Sequence, residues 1–255
     1  MVVLPGFLSD SREYNTLCDL LRSRGHPTAV VDMRTVNWVP TLAGGAFCFY
    51  LDSVERTVLG HADAYGAPCT LVAHSAGGWL ARIWLGSEVY NRRVYAGASR
   101  GLCDALVTLG TPHRTLELYP FGRIPERRKG EKSTLSQRAQ SSSAAFANEC
   151  YPGAFEPHVT YLSVCGRAVR GEAATTDGRL AAFAYKCISG PDGASAWGDG
   201  VTDVGCADLN LGVSFLAIDG VYHSPGSTRT WYGSPEVVPV WLDRLDELRT
   251  GCGAA

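Results

Sequence analysis

Apolar positions along the chain follow two periods, and the period changes at regular intervals. Short β-rich runs at Val2–Leu4, Thr28–Met33, Cys69–Ala73, Ala105–Leu109, Val159–Cys165 and Val213–Ile218 predict six strands. Helical spacing fills the gaps between several of them. Ser11–Arg24 places Tyr14, Leu17, Cys18 and Leu21 on one face and closes at Gly25. Phe47–Ala64 repeats Leu51, Val54, Val58 and Leu59 at helical intervals. Gly77–Leu85 has little polar character and predicts a buried helix, and Pro235–Leu248 turns Val237, Val238, Trp241, Leu242 and Leu245 inward. Strand–helix alternation of this kind predicts an α/β fold, with a mostly parallel sheet of about six strands and helices on both faces.

Two stretches break the alternation. Residues 114–151 are polar and interrupted by proline, and they carry the basic run RIPERRKGEK at Arg123–Lys132, read as a solvated face. Residues 166–198 form the second stretch. Connections this long are uncommon in compact domains unless they bind or cover something. Both follow strands at the carboxyl edge of the sheet, where such sheets place their ligands, so both are expected to act as cap or lid over one site in a single domain spanning residues 1–255.

Composition narrows the function classes. The 255 residues are 45% hydrophobic, and 23 basic against 25 acidic residues leave a formal charge of −2, so no electrostatic footprint for nucleic acid exists. No apolar run reaches the length of a membrane span. The first residues are expected to enter a strand directly, and no basic segment of a signal peptide is read in them, as would hold equally for a mature or trimmed chain. Nine cysteines form neither a C-x-x-C pair nor a zinc-spaced group with histidine, so no metal or cofactor is implied. Cys69 and Cys165 stand in apolar runs, as buried thiols do. This usage points to a reducing compartment, cytoplasm or plastid, with one or two disulfides left open.

The chemistry concentrates in CTLVAHSAGGW, Cys69–Trp79. An apolar strand runs straight into His74-Ser75-Ala76-Gly77-Gly78 and then into a helix, the context a nucleophile elbow requires. Ala73 and Gly77 keep the turn small on either side of Ser75, and the helix start aims free N–H groups at developing negative charge. A nucleophilic serine needs a base, and the base an orienting acid. Of six histidines, His26, His61, His74, His113 and His158 stand in the wrong order or place; His223, in DGVYHSPG after the last strand, is the candidate base. For the acid, Asp199 in WGDGVTD is the better placed among Glu172, Asp177, Asp192, Asp199, Asp203 and Asp208, with Asp203 second. The oxyanion donors are expected from the backbone of Ala76 and of Phe7, in the loop LPGF after the first strand. Leu8, Trp38, His113, Trp197 and Trp231 are candidate pocket residues, with Phe7, Trp79, Phe121 and Tyr232 as further aromatic walls.

With AHSAGG, LPGF, the GDG turn and the final histidine, the sequence resembles the α/β-hydrolase superfamily, in its lipase-like branch that lacks the first strands. More narrowly, HSAGGW, LGTPH, WGDGV, DGVYHSP and WYGSP resemble plant and algal GPI-inositol-deacylase-like serine hydrolases. The resemblance departs at Ala73, where glycine is commoner, and at Pro5, where many relatives carry histidine. It implies serine-dependent cleavage of an acyl ester or thioester, with Ser75, Asp199 and His223 on the matching motifs. Three functions stay open: a lipase or carboxylesterase on a hydrophobic ester; an acyl-thioesterase or acyltransferase, whose acyl carrier would dock at Arg127, Arg128 and Lys129; and a non-catalytic binding module.

Overall fold

In the computed structural model, residues 1–42, 44–115, 142–210, 214–226 and 228–251 are described. The basic run Arg123–Lys132, Phe121 and Cys252 lie outside them. The elements are β1 (Val2–Leu4), α1 (Asn15–Ser23), β2 (Ala29–Val30), α2 (Val39–Leu42), α3 (Cys48–Tyr65), β3 (Cys69–His74), α4 (Ala76–Leu85), β4 (Cys103–Leu109), α5 (Ser143–Cys150), β5 (Thr160–Arg167), β6 (Val169–Arg170), α6 (Thr176–Ser189), β7 (Trp197–Gly198), α7 (Val204–Ala207), β8 (Phe215–Asp219) and α8 (Val238–Thr250).

Six strands form one parallel sheet in the order β2-β1-β3-β4-β5-β8, and β6 and β7 make a separate antiparallel ribbon. Side chains alternate along each strand and sort into two cores. Val2, Leu4, Leu71, Ala73 and Leu106 face one layer with α3 and α4. Val3, Val72, Ala105, Val107, Leu109, Leu162 and Val164 face the other, where α1 and α8 supply Leu17, Leu21, Trp241 and Leu245. Every residue of α4 is buried, as its apolar composition predicts.

The chain leaves β1 for β2 on one side and returns to β3 on the other. A crevice therefore opens between the carboxyl ends of β1 and β3, the switch point at which such sheets bind ligands.

Several element limits differ from those the pattern predicts. Only Ala29–Val30 of the run Thr28–Met33 pairs as strand. Its neighbour β1 ends at Leu4 before Pro5, so Asp32 and Met33 bond elsewhere, their carbonyls taking Ser53 Oγ and Ser11 N. The helix predicted from Ser11 starts as a 3-10 turn, boxed by Asp10 and Glu13, and becomes α-helical at Asn15. The closing helix begins at Val238, because Ser234 O takes the amides of Val237 and Val238 in a preceding turn. The last strand starts at Phe215 and runs to Asp219.

The stretch 166–198 is structured: it holds β6, α6 and β7. Of 114–151, the described part ends in α5. The buried guanidinium of Arg82 seizes the end of that helix, with Nη2 2.9 Å from Ala147 O, Nη1 2.9 Å from Asn148 Oδ1 and Nε 3.1 Å from Tyr151 O. A cation on the last carbonyls of a helix satisfies them and opposes its dipole. Among the described residues no helix is long and apolar enough to cross a membrane, and no disulfide joins two cysteines.

Candidate active site

Ser75 sits between β3 and α4 at φ 51° and ψ −126°, a conformation L-residues rarely adopt. Hydrogen bonds from both sides hold it there. Ser75 N donates to Leu109 O at 2.9 Å, and Ser75 O accepts from Gly78 N at 3.1 Å and from Thr111 Oγ1 at 2.7 Å. A Cβ at residue 78 would lie 2.1 Å from Thr111 Oγ1, so the turn admits only glycine there. The strain lifts the hydroxyl out of the sheet edge. As the first residue of α4, Ala76 has no intrahelical acceptor for its N–H.

The structure brings Ser75, His223 and Asp199 into one line. His223 Nε2 is 3.0 Å from Ser75 Oγ, and His223 Nδ1 is 2.7 Å from Asp199 Oδ2. The Asp199 carboxylate is fully enclosed and accepts from four donors. Val201 N and Thr202 N reach Oδ1 at 2.9 and 2.7 Å; His223 Nδ1 and the Tyr232 hydroxyl share Oδ2, the latter at 2.6 Å. Burial pushes the carboxyl upward, but His223 and these hydrogen bonds outweigh it and hold the pKa below its ordinary value. Because Tyr232 also accepts Gly166 N at 2.8 Å, its proton is free to point only at Asp199. Burial and the adjacent carboxylate keep the phenol protonated, far above its usual range.

Asp203, the second candidate acid, faces away from His223. It caps α7 by accepting Cys206 N at 2.9 Å and pairs with Ser189 Oγ.

A cavity of about 270 Å³ opens in front of Ser75, walled by Phe7, Trp79, Pro112, Ile188 and Val201 with His223 at its edge. Five pocket residues expected from the sequence lie elsewhere. Trp38 is fully buried behind Phe7, ring centroids 5.3 Å apart, and its indole N–H is spent on Ser9 O at 3.0 Å. His113 is buried 2.9 Å from Thr108 Oγ1; burial and the Arg82 charge beside it keep it neutral. Trp231 packs edge-on against Tyr14 under the site. Trp197 belongs to the β6–β7 ribbon, and Leu8 points toward solvent at positive φ. Aromatic bulk predicts burial, but not which cavity or core takes the ring.

Sequence reading missed the polar company of the line: Tyr232 as a partner of Asp199, and His74 and Tyr14 beneath it. Tyr232 carries a faint signal, since WYGSP follows the candidate base closely. His74 gives none beyond adjacency to Ser75.

No known family model matches the chain, and no curated protein is similar to it in sequence. Its fold is nevertheless that of the α/β-hydrolases. A mature lipase of Bacillus licheniformis superposes with a TM-score of 0.57 at 15% identity, over 96% of this chain and 90% of that one. The phospholipase PlaB of Legionella pneumophila gives 0.57 at 12% identity, over 98% of this chain and 62% of that one.

Proposed function

We propose that the chain is a serine hydrolase of lipase or esterase type, cleaving a hydrophobic carboxylic ester through an acyl-enzyme. The observation that carries this reading is the unbroken line Ser75 Oγ–His223 Nε2, His223 Nδ1–Asp199 Oδ2 at 3.0 and 2.7 Å, set on a strained elbow and facing an apolar cavity. His223 Nε2 takes the proton of Ser75 Oγ as the oxygen adds to the ester carbonyl. The Phe7 and Ala76 amides receive the oxyanion. Asp199 fixes the tautomer with Nδ1–H toward itself and stabilises the imidazolium without taking its proton. Collapse of the tetrahedral species releases the alcohol, which leaves with the proton from His223. Water, deprotonated by His223, then adds to the acyl-enzyme and frees the acid and Ser75.

The acyl group is assigned to the cavity of Phe7, Trp79, Pro112, Ile188 and Val201. Ile188 comes from the end of α6, which supports reading residues 166–198 as part of a cap. The narrower likeness to GPI-inositol-deacylase-like hydrolases rests on the sequence motifs alone. Intact-mass labelling with a fluorophosphonate tests the reading. One adduct on the wild type, absent from Ser75→Ala, with p-nitrophenyl esters hydrolysed faster as the acyl chain lengthens to fill the cavity, is the expected result. A folded wild type that takes no label and cleaves no ester would refute it.

A further inference from the structure

His74 is a wholly buried titratable group that the proposed reaction does not use. Its Nδ1 lies 2.7 Å from the Tyr14 hydroxyl, and its Nε2 lies 2.9 Å from the backbone carbonyl of His223. The Tyr14 oxygen in turn is 2.8 Å from the amide of Gly6. The direction of every bond in this series is fixed by its ends. A carbonyl only accepts, so His74 Nε2 carries a hydrogen. Burial drives the His74 pKa down to about 3, with the neighbouring His223 adding to the effect, so the ring is neutral and Nδ1 accepts. Tyr14 O–H must then donate to Nδ1, which leaves its oxygen to accept Gly6 N–H. All three side-chain links are buried.

The series joins parts that the sheet keeps apart. Gly6 and Phe7 follow β1, and His223 follows β8, with β3, β4 and β5 between those strands. His74 is the last residue of β3 and stands between the two loops. Its contact with the first is tight: a Cβ on Gly6 would lie 2.8 Å from His74 Nδ1 and 3.0 Å from Ser75 Cβ. Its contact with the second is ring to ring, the imidazoles of His74 and His223 tilted by 45° with centroids 4.8 Å apart.

We propose that His74 is a positioning residue: with Tyr14 it forms a one-way hydrogen-bond relay that ties the backbone carrying the Phe7 oxyanion amide to the backbone carrying the His223 base, holding the two at a fixed distance across Ser75. This rests on the hydrolase reading above. The two ring nitrogens can be removed separately. Asparagine at 74 can still accept from Tyr14 but falls short of His223 O, whereas glutamine reaches His223 O but leaves Tyr14 without its acceptor.

The experiment measures kcat and KM for a p-nitrophenyl ester in His74→Asn, His74→Gln, Tyr14→Phe and the double variant Tyr14→Phe/His74→Gln, with active enzyme counted by fluorophosphonate titration. Each single change is expected to lower kcat by about 10- to 100-fold with KM nearly unmoved, as a small misplacement of reacting groups does. The double variant should be no slower than the worse single, because the relay is cut either way. The acid limb of kcat/KM should shift in His74→Asn, where His223 loses its anchor, and stay in His74→Gln. Singles within twofold of wild type per titrated site, or losses that multiply in the double, would overturn the proposal. A measurement on the wild type stands if the variants fail to fold. Histidine ¹⁵N correlation spectra should hold His74 as the neutral Nε2–H tautomer from pH 5 to 9; an Nδ1–H tautomer or a titration in that range overturns the relay. A wild type that shows this tautomer yet takes no label would instead sink the hydrolase reading and leave the relay as architecture.

Discussion

Behind His223 the Asp199 carboxylate takes hydrogen bonds from two amides, an imidazole and a phenol, and no lone pair is left without a donor. In front of Ser75 the cavity is walled mainly by the apolar side chains of Phe7, Trp79, Pro112, Ile188 and Val201, with Thr115, Cys187 and Thr202 also in its lining. The two regions meet at one imidazole. Their difference separates two tasks. A buried charge is tolerable only when its hydrogen-bonding capacity is filled, so the acid side is rigid by necessity. A site for an apolar chain gains from the opposite arrangement, since displacing water from an unsatisfied apolar wall is favourable at roughly 25 cal/mol per Å².

The comparison breaks most visibly if the cage is emptied of charge. Asp199→Asn keeps the shape but turns an N–H or a neutral oxygen toward His223 Nδ1; kcat should fall about 10³- to 10⁴-fold with little change in KM, in steady-state assays on the ester series. A loss under tenfold would mean the cage is a structural cluster and not part of the reaction.

Acid should attack the buried polar region before the apolar one. His74 and His113 are held below their ordinary 6.5 by burial, His74 to about 3. Between those values the unfolded chain binds a proton on each histidine that the native chain does not. The stability they contribute is therefore complete above pH 6.5 and is lost as pH falls through that window. Each should contribute a slope of up to about 1.4 kcal/mol per pH unit. Asp199, depressed from 3.8, adds its own loss only at lower pH. Urea unfolding midpoints from pH 7 to pH 4 should decline steadily, and His74→Gln should flatten the decline by about one proton. A stability independent of pH across that range would contradict neutral, buried histidines.

Tyr232→Phe removes one donor from the cage and leaves the others. Asp199 then becomes a stronger acceptor for the imidazolium, so the acid limb of kcat/KM should move to higher pH, with kcat reduced about tenfold. An unmoved limb would show that the phenol is packing only. Asp203→Asn is the smallest perturbation expected. Asparagine caps a helix as well as aspartate and keeps an acceptor for Cys206 N, so stability should change by less than about 1 kcal/mol by chemical denaturation, with kcat within twofold. If instead Asp203→Asn stopped turnover, the assignment of the acid would be wrong.

How much of this could be read from the chain depended on how local the cause was. The elbow is legible because strand, small residues and helix follow one another within Cys69–Trp79, and each part constrains the next. Asp199 and His223 are legible by order along the chain, though order alone cannot separate Asp199 from Asp203: both are buried aspartates in one turn. What separates them is the partner each meets in the folded chain, His223 Nδ1 for Asp199 and the amide of Cys206 with Ser189 Oγ for Asp203. Tyr14 and His74 are beyond reach for the same reason, and Tyr232 nearly so. Their partners lie 60, 149 and 33 residues away, and a local pattern carries little or none of that information. The pocket aromatics divide: Phe7 and Trp79 line the cavity, whereas Trp38 and Trp231 are buried one layer behind it.

The φ of 51° at Ser75 has a thermodynamic sequel. A side chain in that conformation costs on the order of 1–3 kcal/mol, which glycine would largely recover. At this one position, then, the protein as it stands is less stable than a neighbouring sequence one substitution away. Selection for a tougher molecule alone would pull residue 75 toward glycine, and heat-resistant variants sought without an activity screen would be expected to turn up there. Thermostability and the presence of a hydroxyl at the elbow are in direct competition, and the serine is evidence of which has so far prevailed.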